Sequence, residues 1–246
     1  MKFCLPAERE KVALLIPAAG RGLRMGGHSP KQYLELLGKP LIVHTLEKFI
    51  SIAFFKQIVI IVAREEENLC RKILASHFPR HKFTFCLGGA ERQQTVAKGL
   101  ACLDGEINLV CVHDAVRPLV EHAVIVEVLK AAASFGAATD AVRVKDTIKI
   151  CTADGFGAKT LQRDELVAVQ TPQAFHRELL EEAHRRAEEL NYTATDDSSL
   201  VEKLGRRVKL VEGSYTNIKI TTPEDMLLAQ VLLHRKQGKG DGFICV

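Results

Sequence analysis

Short apolar runs alternate with amphipathic stretches along most of this chain, and that rhythm restricts the fold more than any other feature. Residues 12–16 (VALLI), 57–63 (QIVIIVA), 83–87 (FTFCL), 108–115 (NLVCVHDA) and 137–144 (AATDAVRV) read as strands. Between them, 40–52, 66–78, 91–103 and 121–135 carry helical spacing, the first with a proline suited to an opening turn. A strand that is apolar at nearly every position must be covered on both faces. The alternation therefore predicts βαβ units and a mostly parallel central sheet in a Rossmann-like, three-layer α/β domain. At 246 residues, with no repeat and no low-complexity linker, the whole chain 1–246 is expected to form a single domain.

The rhythm breaks at residues 145–175. Two β-rich runs there flank a glycine-containing turn, ADGFG, which predicts a hairpin projecting from the sheet. A lone hairpin is marginal in water, so this arm, residues 144–164, is expected to pack on a second subunit. Beyond it the pattern predicts helices over 176–190 and near 196–205, strands at 207–213 and 217–221, and a last helix opening at Pro223.

Composition excludes several classes. Net charge is +4, with no long block of like charge, so no nucleic-acid partner is expected. The seven cysteines are scattered and form no CxxC pair, which argues against a zinc site or a disulfide framework. The longest apolar runs are far short of a membrane span, and charges at the N-terminus interrupt any signal-peptide core. No membrane partner is expected, and a cytoplasmic location is.

Ligands on parallel sheets bind beyond the carboxyl ends of the strands. The polar motifs collect there: PAAGRG after the first strand, GGAER after the third and HDAVRP after the fourth. In the first, Arg21, Arg24 and Lys31 crowd around a glycine turn whose backbone N–H groups form an anion-binding concavity. Two familiar phosphate motifs fail. The dinucleotide fingerprint has Met25 in place of its third glycine, and the P-loop pattern has His28 in place of its lysine.

The motifs PAAGRGLRM, PKQYL, GGAERQQTV, VHDAVRP, VKDTIK, QTPQAF, TDDSSLVE and TNIKITTPEDM, in this order, resemble those of the 2-C-methyl-D-erythritol 4-phosphate cytidylyltransferases of the non-mevalonate isoprenoid pathway. The resemblance implies transfer of a cytidylyl group from CTP to a sugar-alcohol phosphate with release of pyrophosphate. It also implies Mg²⁺, held mainly through substrate phosphates, and a homodimer built through the hairpin arm. Carried over residue by residue, it places Arg24 and Lys31 as catalytic charges on the triphosphate. Ala18, Ala19, Gly20 and Gly22 form the glycine turn, and Gly89 and Thr95 face the cytosine and ribose. Asp114 stands on the ribose and metal side, with Ala115 beside it and Arg117 behind it. Thr147 and Arg163 belong to the acceptor side, Lys219 and Thr221 to the phosphates, and Thr171 is a further substrate-binding residue. Val116 stands where the family often has alanine, which removes no charge the chemistry needs. A ribitol 5-phosphate cytidylyltransferase shares part of this framework, but TIK followed by QRDEL favours the first family. A silent nucleotide-binding or scaffold protein is a third reading, opposed by the intact Arg24 and Lys31.

Three residues near these motifs have plainer readings. His113 lacks a second ligand at metal spacing and is expected to be packed and hydrogen-bonded. Asp196 and Asp197 resemble paired carboxylates but are expected to cap a helix and supply acid to its first turn.

Overall fold

A computed structural model describes residues 11–20 and 30–237. Its elements run in chain order: β1 (Val12–Pro17), β2 (Glu35–Leu36), β3 (Lys39–Pro40), α1 (Leu41–Ile50), β4 (Phe55–Val62), α2 (Glu67–His77), β5 (Thr84–Leu87), α3 (Arg92–Leu100), β6 (Leu109–Val112), α4 (His122–Phe135), β7 (Ala137–Arg143), β8 (Lys149–Cys151), β9 (Gly157–Thr160), β10 (Val167–His176), α5 (Arg177–Glu189), α6 (Asp197–Lys203), β11 (Lys209–Glu212) and α7 (Pro223–Gln237). A seven-stranded sheet has the order β11-β7-β10-β6-β1-β4-β5. Within it only β10 runs against the others, antiparallel to both β6 and β7. This is the expected α/β architecture.

The alternation of side chains builds the layers. Val12, Leu14 and Ile16 of β1 face one core with α1, α2 and α4, while Ala13 and Leu15 face the opposite core with α3, α5 and α6. β4 and β6 divide in the same way, Ile60 and Cys111 to the first core and Ile61 and Val110 to the second. With β1 fully buried on both faces, no polar position along it could be tolerated without a partner. Helix ends follow local chemistry. Asp196 accepts from the Ser199 N–H to cap α6, as the sequence predicts. α4 stops at Gly136, whose φ of 87° is one that a side chain would strain.

Two expectations change. The hairpin is confined to β8 and β9, which pair antiparallel around a turn with Gly155 at φ 90°. The second β-rich run continues instead as β10 into the central sheet, wedged between β6 and β7. The expected strand at 217–221 does not form. Ile220 and Ile218 alternate because they pack with Leu36, Val116 and Leu233 under α7, not because a ladder holds them. The segment instead crosses the carboxyl ends of the strands, with Ile220 N–H donating to Val116 O at 3.0 Å.

Chain order locates the site. From β1 the chain works outward through β4 and β5, then returns to lay β6 on the other side of β1. The gap between the ends of β1 and β6 is the switch point where ligands bind on such sheets.

Phe175, fully buried on β10 in the second core, tests the two-sided burial of this inserted strand. Phe175→Ala is expected to cost about 3–5 kcal/mol. In a chain of this size that lowers the thermal midpoint by roughly 6–20 °C. A calorimetric scan with an unchanged midpoint would show that β10 is not part of the cooperative core.

Candidate active site

The residues at the switch point enclose a cavity of about 190 Å³. The β1 exit contributes Ala18, Ala19 and Gly20, and the turn after it Lys31 and Gln32. The loop before α3 contributes Gly89, α3 itself Arg92 and Thr95, and the β6 exit Asp114 and Ala115; Lys219 closes one side. A second cavity of about 330 Å³ shares Arg92, Asp114 and Lys219 as a wall and is completed by Arg117, Gln170, Thr171 and Asp196, among others. Asp114 thus stands between two spaces.

Asp114 is the electrostatic centre. It is 6% exposed and has three cations around it. Lys219 Nζ lies 2.8 Å from Oδ2, Arg92 Nε 3.3 Å from Oδ1 and Arg117 Nε 3.6 Å from Oδ2. Burial by itself would push the carboxyl up. Arg92, then Lys219 and Arg117, outweigh it and hold Asp114 far below the usual carboxylate range. Arg92 is shared: its Nη1 also reaches Asp197 Oδ2 at 2.7 Å. Asp197 is 1% exposed and takes a further contact from His184 Nε2 at 3.2 Å. Burial opposes its charge, and Arg92 and His184 hold it below the ordinary value. Asp197 is therefore more than an acid in a helical first turn, the role its sequence context suggests. Arg92 Nη2 and Arg117 Nε are buried without a hydrogen-bond partner among the described residues.

His113 is packed, as expected. Its ring lies 4.7 Å from that of Phe49, and burial lowers its pKa to about 4. A neutral ring fits its partners. Nε2 is 3.1 Å from Arg117 O, so that nitrogen carries the hydrogen. Nδ1 then accepts from Thr171 Oγ1 at 3.1 Å, and Thr171 Oγ1 accepts from Asp114 N–H at 3.1 Å. This chain sets the backbone of Asp114.

Asn217 is a second organiser. Its Nδ2 donates to Thr171 O at 2.9 Å and to Asp140 Oδ2 at 3.1 Å, while its backbone carbonyl accepts from Arg117 Nη1 at 2.7 Å. Burial pushes Asp140 up to about 7, against the Asn217 hydrogen bond and the Arg117 charge.

The structure brings Ala18, Ala19, Gly20, Lys31, Gly89, Thr95, Asp114, Ala115 and Lys219 around the first cavity, and Arg117 and Thr171 around the second. Thr147 and Arg163 lie away from both in the same chain. Arg163 Nη1 donates to Lys145 O at the base of the arm. Thr221 N–H and Oγ1 both donate to Asp225 Oδ2 at the start of α7. Gly22 and Arg24, with Arg21, lie outside the described residues. Sequence reasoning missed Arg92, Gln32, Asp140 and Asn217 as site-builders. Only Arg92 carried a visible signal, a basic residue directly after a glycine turn at a helix start.

The family model described as IspD, 2-C-methyl-D-erythritol 4-phosphate cytidylyltransferase, matches residues 12–235. A protein of that name from Pelotomaculum thermopropionicum is 47% identical over 94% of this chain and 97% of its own length. Another, from Desulforamulus reducens, is 46% identical over 92% and 97%. Among solved structures, 4-diphosphocytidyl-2C-methyl-D-erythritol synthase from Anaerococcus prevotii aligns with a TM-score of 0.82 at 30% identity, covering 94% of this chain and 99% of that one. The Thermus thermophilus cytidylyltransferase aligns at 0.75 and 36% identity, covering 91% and 99%.

Asp140 yields a pH test. Its folded pKa is raised, so between about pH 4 and about 7 the folded state holds a proton that the unfolded state has lost. This group therefore withdraws stability as pH rises through that window, by at most about 1.4 kcal/mol per pH unit. Denaturant melts of wild type and Asp140→Asn are expected to diverge in favour of the variant from pH 4 to pH 7. Parallel curves would show that Asp140 stays ionised in the folded protein.

Proposed function

The chain belongs to the 2-C-methyl-D-erythritol 4-phosphate cytidylyltransferase family, which are nucleotidyltransferases, and from that membership and the site geometry we propose that it transfers the cytidylyl group of CTP to 2-C-methyl-D-erythritol 4-phosphate in isoprenoid precursor synthesis. The observation that carries this reading is the pair of cavities meeting at one buried, cation-surrounded carboxylate. The first cavity takes the nucleotide against the loops after β1 and before α3. The second takes the acceptor. An oxygen of the acceptor phosphate attacks the α-phosphorus of CTP, and the bond to the bridging oxygen breaks. Pyrophosphate leaves with that electron pair, and the product is 4-CDP-2-C-methyl-D-erythritol.

A phosphate monoester is largely dianionic at pH 7, so no base has to create the nucleophile. The obstacle is repulsion between a dianion and a polyanion. Lys31 faces the nucleotide cavity from the turn after β1, and Arg24 is assigned to the same triphosphate. Lys219 and Arg117 serve the acceptor phosphate. Positive charge placed where negative charge concentrates in the transition state is the main source of rate here.

The lining fits a hard cation that is mostly held elsewhere. Among the described residues no cluster of three or more candidate side-chain ligands occurs, and Asp114 is the buried carboxylate facing the cavity. Mg²⁺ keeps several oxygen ligands from phosphates and water and needs few from protein. When bound it would neutralise phosphate charge, and Asp114 would be the residue to hold it.

The arm supports a homodimer. Ile150 and Phe156 of the hairpin are 49% and 71% exposed, an apolar surface with no cover among the described residues. A partner's active site is where Thr147 and Arg163 would act. No helix among the described residues is long and apolar enough to cross a membrane. The cytoplasm is the location proposed.

Pyrophosphate release tests the reaction. With CTP, ATP, GTP or UTP and with methylerythritol phosphate or ribitol 5-phosphate as acceptor, only CTP with the first acceptor is expected to give fast turnover. The rate is expected to fall as pH drops through about 6, where the acceptor loses its second charge. Preference for ribitol 5-phosphate, or no release with any pair, would reject the assignment. The arm is tested by mixing Arg24→Ala with Arg163→Ala under subunit exchange. If Arg163 acts in the partner's site, each mixed dimer keeps one intact site, and about a quarter of wild-type activity returns. No recovery despite proven exchange would confine Arg163 to its own chain.

A further inference from the structure

Gln32 is 2% exposed, an unusual burial for a glutamine, and it follows Lys31 in a single 3-10 turn, Lys31–Tyr33. The two hydrogens of its amide serve two acceptors. Nε2 lies 2.5 Å from Ala18 O and 2.9 Å from Glu66 Oε2. Ala18 is also held from the other side, its N–H donating to Ile61 O at 2.7 Å. The first residue beyond β1 is therefore clamped between the sheet and the turn that bears Lys31.

The clamp has a directional consequence. The peptide between Ala18 and Ala19 is trans, and in a planar trans peptide the N–H points opposite to the C=O. Holding the Ala18 carbonyl on Gln32 thus aims the Ala19 N–H away from Gln32. Ala19 lines the first cavity, and its N–H has no hydrogen-bond partner among the described residues. A donor so placed suits an oxygen of an incoming nucleotide.

We propose that Gln32 is a positioning residue for nucleotide binding: its amide fixes the Ala18–Ala19 peptide so that the Ala19 N–H meets the nucleotide, and it ties that peptide to the turn carrying Lys31. This inference rests on the cytidylyl-transfer reading. It differs from a merely structural role, in which Gln32 only neutralises the buried polarity of Glu66, itself 8% exposed. The two roles use different hydrogens of one amide, so they are separable.

Gln32→Met removes both bonds at similar volume. The double variant Gln32→Glu with Glu66→Gln reverses the contact between the two side chains but offers Ala18 O a carboxylate oxygen instead of a donor. CTP affinity by calorimetry, KM for each substrate and the thermal midpoint are the readouts. Both variants are expected to bind CTP about tenfold more weakly, the size of one hydrogen bond's net contribution. KM for CTP rises with it, and KM for the acceptor is unchanged. Wild-type CTP affinity in either variant would overturn the proposal, and in the double variant it would assign Gln32 to Glu66 alone. Because binding is read apart from turnover, a wild-type chain that binds CTP without releasing pyrophosphate counts against the transfer reading only. Absence of CTP binding overturns both.

Discussion

The site depends on the burial of one carboxylate among three cations. Asp114, Asp197, Arg92, Arg117 and Lys219 lie within ion-pair distance of one another in a connected chain, three positive against two negative charges, a surplus of one positive. Taking such charges from water is costly, and removing a single member leaves another buried without compensation. The five residues come from the start of α3, the exit of β6, the start of α6 and the segment before α7. One electrostatic cluster therefore joins four separate parts of the chain. Its surplus charge is the right sign for a place where two phosphorylated molecules meet.

The antiparallel strand makes that cluster possible. β10 pairs with β6 on one side and β7 on the other, and its register with β7 shifts between Val169 and Gln173. A shift of this kind re-aims side chains next to active sites. Here Gln170 and Thr171 lie within it. Thr171 is thereby held against both His113 Nδ1 and the Asp114 N–H, and its carbonyl takes Asn217 Nδ2. Asn217 in turn brings the chain two residues short of Lys219 to the floor of the site. A parallel strand inserted at this point could not deliver the same residues from the same end.

Most of the architecture was legible because it rests on period. Runs such as 57–63 are apolar at nearly every position, which only a strand buried on both faces accommodates. The failures have a common cause. Residues 217–221 alternate like a strand, but the alternation records packing under α7, and one buried asparagine diverts the backbone. The long run ending at Phe175 showed β character without showing which sheet it would join, since register is a tertiary property. Within the site, residues on the loops after β1 and β6 could be read from their motifs. Gln32, Asp140, Asn217 and the inward turn of Asp197 could not, because each acts through a partner 14 to 105 residues distant.

The same geometry explains why the site works by charge and not by proton transfer. His113 is the histidine nearest Asp114 in the chain, yet both ring nitrogens are engaged and burial keeps the ring neutral down to about pH 4. It fixes a backbone and does not accept a proton. Asp114 is held ionised by its cations, and Asp197 likewise, so neither is tuned toward neutrality as a general acid must be. What the arrangement offers is a set of donors and charges fixed before any substrate arrives. Fixed dipoles and charges lower a barrier without reorganising during the reaction, and they do so most strongly where water is excluded. In the proposed reaction a nucleophile that is already ionised asks for nothing else, and selectivity would then lie in how closely the two phosphorylated partners are brought to either side of Asp114.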